Sequence, residues 1–207
     1  MKAWQFVEAG KPLTLNEVPE PVAGAGEVVV EVKAAGICHS DTGYIDGTLT
    51  PVLAFHPITL GHEIAGTISA IGDGVTTFST GDRVVIPAKV EGAGTSLNGG
   101  FASHVASPAE FVIPLPDGID WDQAAAATDA GMTSYHAVVV QGGVTAGTKV
   151  GIIGLGGWGP LERRPPSRSG QGYTSLRKTR RCMTLPGRSG WREWQRTLPT
   201  SRIRGST

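Results

Sequence analysis

Three short stretches carry side chains that can hold a metal or move a proton. They are Gly36-Ile37-Cys38-His39-Ser40-Asp41, Gly61-His62-Glu63-Ile64-Ala65-Gly66 and Asp129-Ala130-Gly131-Met132-Thr133-Ser134-Tyr135. Each sets a thiol, an imidazole or a carboxylate beside glycine, on a loop or at the end of an element. All three donor types are competent zinc ligands, and three protein ligands with an open fourth position is the pattern of a catalytic site. Taken singly, each has a commoner explanation. A lone cysteine is usually a small buried hydrophobe. A histidine beside an acid is more often a surface or satisfied core residue, and an aspartate before Ala-Gly more often caps a helix. Their force lies in occurring together and in this order.

A fourth stretch, Gly154-Leu155-Gly156-Gly157-Trp158-Gly159, has the glycine spacing that lets backbone approach a dinucleotide pyrophosphate. The apolar run Thr148-Lys149-Val150-Gly151-Ile152-Ile153 leads straight into it. Strand followed by glycine turn is the first βα portion of a Rossmann fold. The helix that should come next is not written: Pro160, Pro165 and Pro166 would break it.

The elements that must position these groups read as short strands broken by Gly and Pro. Glu27–Val32, Ile64–Ile71, Asp82–Pro87, Phe101–Val105 and Phe111–Ile113 are the candidates. Many short strands with regular turn signals predict a closed or nearly closed β-barrel. Asp120-Trp121-Asp122-Gln123 then opens a helix through Ala124–Ala127, with acids in its first turn. A second helix is expected over Tyr135–Gln141, ended by Gly142-Gly143.

Charge divides the chain at Gly157. Residues 1–157 hold 6 Lys+Arg and 16 Asp+Glu, a net of −10, and the last 50 residues hold 12 and 2, a net of +10. An acidic globular part argues against nucleic acid as its natural partner. Two cysteines, Cys38 and Cys182, make no disulfide framework. The first residues lack the apolar core of a signal peptide, and no stretch is long and apolar enough to span a membrane. A cytoplasmic protein is the expectation.

The chain resembles the zinc-dependent alcohol dehydrogenases of the medium-chain dehydrogenase/reductase family. The resemblance runs from Met1 to Gly157 and rests on Gly-x-Cys-His-Ser-Asp at 36–41 and Gly-His-Glu at 61–63. Gly-Asp-Arg-Val-Val at 81–85 and Gly-Gly-Phe-Ala-Ser at 99–103 extend it. It implies a mainly β GroES-like barrel over 1–128 that binds zinc, then the start of a Rossmann cofactor domain over 129–157. Residues 158–207 are left as a basic, disordered, non-native tail. Cys38 and His62 would be zinc ligands. Glu63 would be the carboxylate that can approach the metal, Ser40 the hydroxyl that takes the alcohol proton, and Asp41 the acid behind the zinc histidine. His39 would lie near the cofactor pyrophosphate and Thr133 near the nicotinamide, with Gly154, Gly156, Gly157 and Gly159 forming the glycine turn. The third ligand position, usually cysteine, is Asp129 here, which keeps the anionic count of the donor set. Residues 87–100 contain no cysteine, so the four-cysteine structural zinc lobe of many relatives is not expected. The resemblance implies one catalytic zinc, NAD or NADP as cofactor, and a small alcohol, aldehyde or ketone as substrate. Hydride transfer with zinc as Lewis acid is the reaction it implies, and a homo-oligomer is the full-length family's state. A zinc-free quinone reductase of the same superfamily and a non-catalytic zinc-binding module are the alternatives.

The tail has three readings: a basic arm, a terminal extension of unknown role, or the right gene in the wrong frame. It contains no Ala, Val, Phe, Asp, Asn or His in 50 residues. Codons taken from the third base of one residue and the first two of the next restore sense. Gly157/Trp158 gives Leu, Val or Met, and Trp158/Gly159 gives Gly. Further on, Ser169–Ser175 permits Gly-Ala and an apolar strand, and Arg177-Lys178-Thr179 permits an acid at the spacing of a ribose contact. The frame change is the favoured reading. It predicts little or no dehydrogenase turnover, and leaves Val150–Ile153 with no sheet to join.

Overall fold

A computed structural model describes residues 1–145, Thr148, and the strands Val150–Ile153 and Tyr173–Leu176. The glycine turn Gly154, Gly156, Gly157 and Gly159, and the tail apart from Tyr173–Leu176, lie outside the described residues. By chain contacts there are two compact units, Met1–Val144 and Thr145–Thr207.

The first unit opens with β1 (Lys2–Phe6), β2 (Thr14–Glu17), β3 (Glu27–Gly36), helix α1 (His39–Asp46) and β4 (Ile58–Thr59). It continues with β5 (Glu63–Ile71), β6 (Arg83–Ile86), β7 (His104–Pro108) and β8 (Ile113–Pro114). One antiparallel sheet has the order β7-β3-β5-β6-β8 and another β2-β1-β4. They are stitched together by 101–103. Trp4 N donates to Phe101 O at 2.9 Å, and Val32 N donates to Ser103 O at 2.8 Å. Register shifts between Val29 and Val30, and between Val32 and Ala34, bend β3 as bulges do. The result is the nearly closed barrel expected from the turn spacing.

Alternation explains the layering. On β5, Ile64 and Ile68 face the barrel core with Val28, Val30, Val84, Ile86 and Val105, while Ala65 points the other way. Burying one such isoleucine stabilises the fold by roughly 1.5–3 kcal/mol. A second cluster, Phe6, Tyr44, Leu53, Ile58 and Leu60, lies under α1. On the outer face of the sheet, Ala65 meets Ala124 and Ala125 of helix α2 (Trp121–Ala126). Small residues let this helix lie close. Between the strands, Gly66 lets β5 lie against β3, since a Cβ there would stand 2.1 Å from Glu31 O.

The two helices expected from sequence are one helical run. After α2 come a π-helical segment (Ala127–Gly131), α3 (Met132–Tyr135) and a second π-helical segment (His136–Gln141). The backbone stays right-handed helical at Ala127, Gly131, Met132 and His136. Gly131 therefore does not interrupt it. Asp129 sits inside this run, which sets aside the reading of Asp129 as a helix cap; the N-cap is Asp120.

In the second unit, β9 (Val150–Ile153) pairs in parallel with β10 (Tyr173–Leu176), Val150 opposite Tyr173 and Ile153 opposite Leu176. The expectation that Val150–Ile153 has no partner is thereby corrected. Four residues of the arginine-rich tail supply one.

Candidate metal centre

Register brings the first two donor stretches together. Strands β3 and β5 pair antiparallel with Gly36 opposite Glu63 and Ala35 opposite Ile64. The end of one strand and the start of the other thus coincide, and Cys38 and His62 emerge side by side. Cys38 is the N-cap of α1. Its N–H donates to Asp41 Oδ2 at 2.9 Å, so the acid at the third helical position fixes the turn that carries the thiol. Gly36 makes room: a Cβ there would lie 1.9 Å from Glu63 Oε2.

Asp129 arrives from the helical run. Thr128 is buried and its Oγ1 donates to Ala125 O at 2.6 Å, while Ala88 N, just past β6, donates to Thr128 O at 3.2 Å. Farther back, Arg83 stacks on the Trp121 ring at 4.2 Å and donates to Ile119 O, tying the start of the helix to the barrel. A π-helical segment widens the turn at which Asp129 leaves the backbone, a feature often found at functional sites.

The donor atoms of Cys38, His62, Glu63 and Asp129 all lie within 4.8 Å of one another. Cys38 Sγ is 3.2 Å from Asp129 Oδ2, and His62 Nε2 is 3.4 Å from the same oxygen. A tetrahedral zinc with bonds of about 2.3 Å to sulfur and about 2.0–2.1 Å to nitrogen and oxygen has ligand edges of about 3.3–3.5 Å. The His62–Asp129 separation matches such an edge, and the Cys38–Asp129 one, drawn in by a hydrogen bond, is a few tenths of an ångström shorter. Behind the imidazole, His62 Nδ1 faces Asp41 Oδ1 at 3.6 Å, and both atoms are buried with no hydrogen-bond partner. An imidazole backed by a carboxylate is how metal-bound histidines are oriented. Thr133 Oγ1, one turn on from Asp129, donates to its Oδ1 at 3.0 Å and leaves Oδ2 for the other donors.

The charges also fit a cation. Asp41, Glu63 and Asp129 surround one histidine. A hydrogen bond from His62 is the chief cause holding the Asp129 carboxyl at about 2, burial opposes it, and Cys38 and Thr133 add to the lowering. Burial pushes the Cys38 thiol up, and the bond to Asp129 favours the protonated form further. Burial also raises Asp41 and Glu63, and the Asp129 charge adds to both. Burial opposes protonation of His62, yet Asp129, Asp41 and Glu63 outweigh it and raise its pKa. A clustered set of buried anionic donors is costly without a positive partner.

The chain matches the alcohol dehydrogenase GroES-like domain family over residues 24–117. Those residues form an alcohol dehydrogenase GroES-like domain. An alcohol dehydrogenase of Geobacillus stearothermophilus is 36% identical over 179 residues, covering 77% of this chain and 52% of that one. The crystal structure of an NAD-dependent alcohol dehydrogenase superposes with a TM-score of 0.77 at 26% identity, covering 86% of this chain and 58% of that one. A Pseudomonas syringae pv. Tomato DC3000 quinone oxidoreductase gives 0.71 at 30% identity, covering 84% and 52%. The chain spans about half the length of the curated relatives it matches, 52% for the Geobacillus protein.

Within the unit Met1–Val144 the structure gathers Cys38, His62, Glu63 and Asp129, with Ser40, Asp41 and Thr133 in contact. Ser40 Oγ is 3.3 Å from His62 Nε2. His39 is exposed on α1 outside the cluster. Sequence reading passed over Tyr44, whose ring meets His62 edge-on at 6.4 Å. Its three-residue spacing from Asp41 on one helix was the available signal. The Thr133–Asp129 bond was missed too, although their spacing of four in a helix predicts neighbours.

Proposed function

We propose that the unit Met1–Val144 holds one zinc on Cys38, His62 and Asp129, with Glu63 as a fourth, exchangeable carboxylate. The gene's activity is hydride transfer between a small alcohol and NAD(P). The mutual approach of the four donor atoms within 4.8 Å carries the reading. When bound, the zinc would polarise the substrate oxygen and the nicotinamide would carry the hydride. The chain's own groups do the rest. Ser40, beside His62 Nε2, accepts the proton of the substrate hydroxyl. Asp41 orients the His62 ring from behind. Glu63 rests its carboxylate over Gly36, where no side chain blocks it. Thr133 fixes which Asp129 oxygen faces the donors, as well as lining the nicotinamide side. His39, exposed on α1, and the glycines Gly154, Gly156, Gly157 and Gly159 are assigned to the cofactor pyrophosphate by the family resemblance alone.

This 207-residue chain should itself show little or no turnover, because half the length of its relatives is unmatched. The matched share, 77% of 207 residues, is about the length of the acidic part before Trp158. A second reading, a zinc-binding module without catalysis, is favoured by the compact unit Met1–Val144, which contains every donor. The donor set argues against the zinc-free quinone reductase reading. Among the described residues, no helix is long and apolar enough to cross a membrane.

Zinc analysis with NAD-dependent alcohol oxidation tests the metal centre and the lack of turnover, and nicotinamide titration separates the two readings, since a module without catalysis binds zinc and no cofactor. Zinc with no turnover is expected. Measurable turnover by the purified chain would overturn the inactive reading, and the absence of zinc would overturn the metal centre.

A further inference from the structure

The segment 89–100 offers no ligand, yet its backbone lies against the turn that presents His62. Gly94 has a φ of +82°, and a Cβ there would stand 2.8 Å from Gly61 C, 2.9 Å from Gly61 O and 3.0 Å from His62 N. At Gly99 a Cβ would come within 2.4 Å of Gly61 O and 2.7 Å of Leu60 O. Gly61 has a φ of +94°, and its own Cβ would meet Phe101 N at 2.8 Å. Hydrogen bonds fasten the contact: Gly99 N to Thr59 O at 2.8 Å, Gly100 N to Gly61 O at 2.7 Å and Phe101 N to Leu60 O at 2.9 Å. Asn98 Oδ1 accepts from Thr59 N at 2.9 Å. The loop keeps its own shape through buried Thr95, whose Oγ1 lies 2.8 Å from Lys89 O and 3.1 Å from Gly92 O. The Gly94 and Gly99 contacts are backbone on backbone, so no side chain can rotate away to relieve a displacement there.

We propose that the 89–100 loop is the positioning element for His62, with Gly94 the glycine that meets the His62 backbone itself. It sets where Nε2 stands relative to Cys38 and Asp129, and so sets the zinc affinity of the centre. The inference rests on the zinc reading above. Metal sites tolerate only about 0.5 Å of misplacement, and a Cβ at Gly94 has no free space within that range.

The test compares Gly94→Ala with Gly74→Ala in the full 207-residue chain. Gly74 has the same φ of +82°, and a Cβ there would meet nothing within 4 Å. Both variants take on the left-handed backbone cost, and only Gly94→Ala adds the collision. Zinc affinity, measured by chelator competition, is expected to fall at least about tenfold in Gly94→Ala and to stay within about twofold in Gly74→Ala. The thiolate charge-transfer band of the cobalt-loaded chain should shift in Gly94→Ala alone. If Gly94→Ala does not fold, Thr95→Val loosens the loop without a collision and should show the same split, smaller in size. Zinc affinity in Gly94→Ala, or in Thr95→Val in its place, equal to that of Gly74→Ala overturns the inference. A wild-type chain that binds no zinc overturns the zinc reading, and this one with it.

Discussion

Replacing Asp129 by asparagine keeps the shape of the side chain and removes its charge. In the metal-free protein that carboxylate accepts from Cys38 at 3.2 Å and Thr133 at 3.0 Å, and pairs with His62 at 3.4 Å. Its pKa falls from 3.8 to about 2, first through the His62 hydrogen bond. Such a shift corresponds to on the order of 2 kcal/mol, and solvent contact reduces the figure to about 1–2 kcal/mol. The sign follows from linkage. Because the folded pKa lies below the unfolded one, this stability is present above 3.8 and is lost as pH falls through about 2. His62 runs the other way. Its folded pKa is raised above 6.5, so its share is present below 6.5 and is lost as pH rises through the raised value. The chelator-treated wild-type chain should be best supported by this pair between those limits. Asp129→Asn should flatten the acid limb and weaken the alkaline one, read as denaturant midpoints from roughly pH 2 to 8. Zinc affinity should fall at least about 100-fold, or roughly 2.7 kcal/mol, because a neutral amide replaces an anionic donor. Asp129→Asn that binds zinc within about threefold of wild type would refute the assignment of Asp129 as a ligand.

Three further outcomes follow from the same structure. Arg83→Ala, which removes the stack on Trp121 and the bond to Ile119 O, should cost about 1–3 kcal/mol in urea denaturation; Arg83→Lys should recover only part, lacking the planar fork. Ala124→Leu should destabilise by about 1–3 kcal/mol in the same assay, since Ala124 is 3% exposed against Ala65; a neutral result would show the helix is not closely packed there. The source nucleotide sequence should keep a long open frame past codon 157 in the shifted register, and an early stop in that frame would remove the frame-change reading.

Much of the first unit is legible in the sequence because its signals are local. The β-branched run 27–32 and the alternation over 64–71 mark β3 and β5, the two central strands, and the glycine-bounded Asp82–Pro87 marks β6. The run 101–105 is displaced to β7, His104–Pro108. Phe101 and Ser103 are spent on bonds to Trp4 and Val32 between the sheets, a long-range demand that no local pattern announces. Strands β1 and β2 escape notice for the same reason: Trp4 and Leu15, paired across them, stay half exposed, so the period-2 signal is weak. Helix α1 carries a Gly and a β-branched Thr and buries only Asp41 and Tyr44, which hides its periodicity. The candidate donors could be named from three short motifs and the family resemblance they carry. What places them could not, because Gly36 beneath the Glu63 side chain and Gly94 against the Gly61 backbone are contacts between residues distant in sequence.

The central claim is that Cys38, His62 and Asp129 form one zinc centre inside the unit Met1–Val144. Its most direct test is the zinc-to-protein ratio of the purified 207-residue chain, measured by elemental analysis beside Cys38→Ala. The account predicts about one zinc per chain in the wild type and none held in Cys38→Ala. Stoichiometric zinc retained by Cys38→Ala, or a wild-type chain that takes up no zinc when supplied with it, would contradict the account.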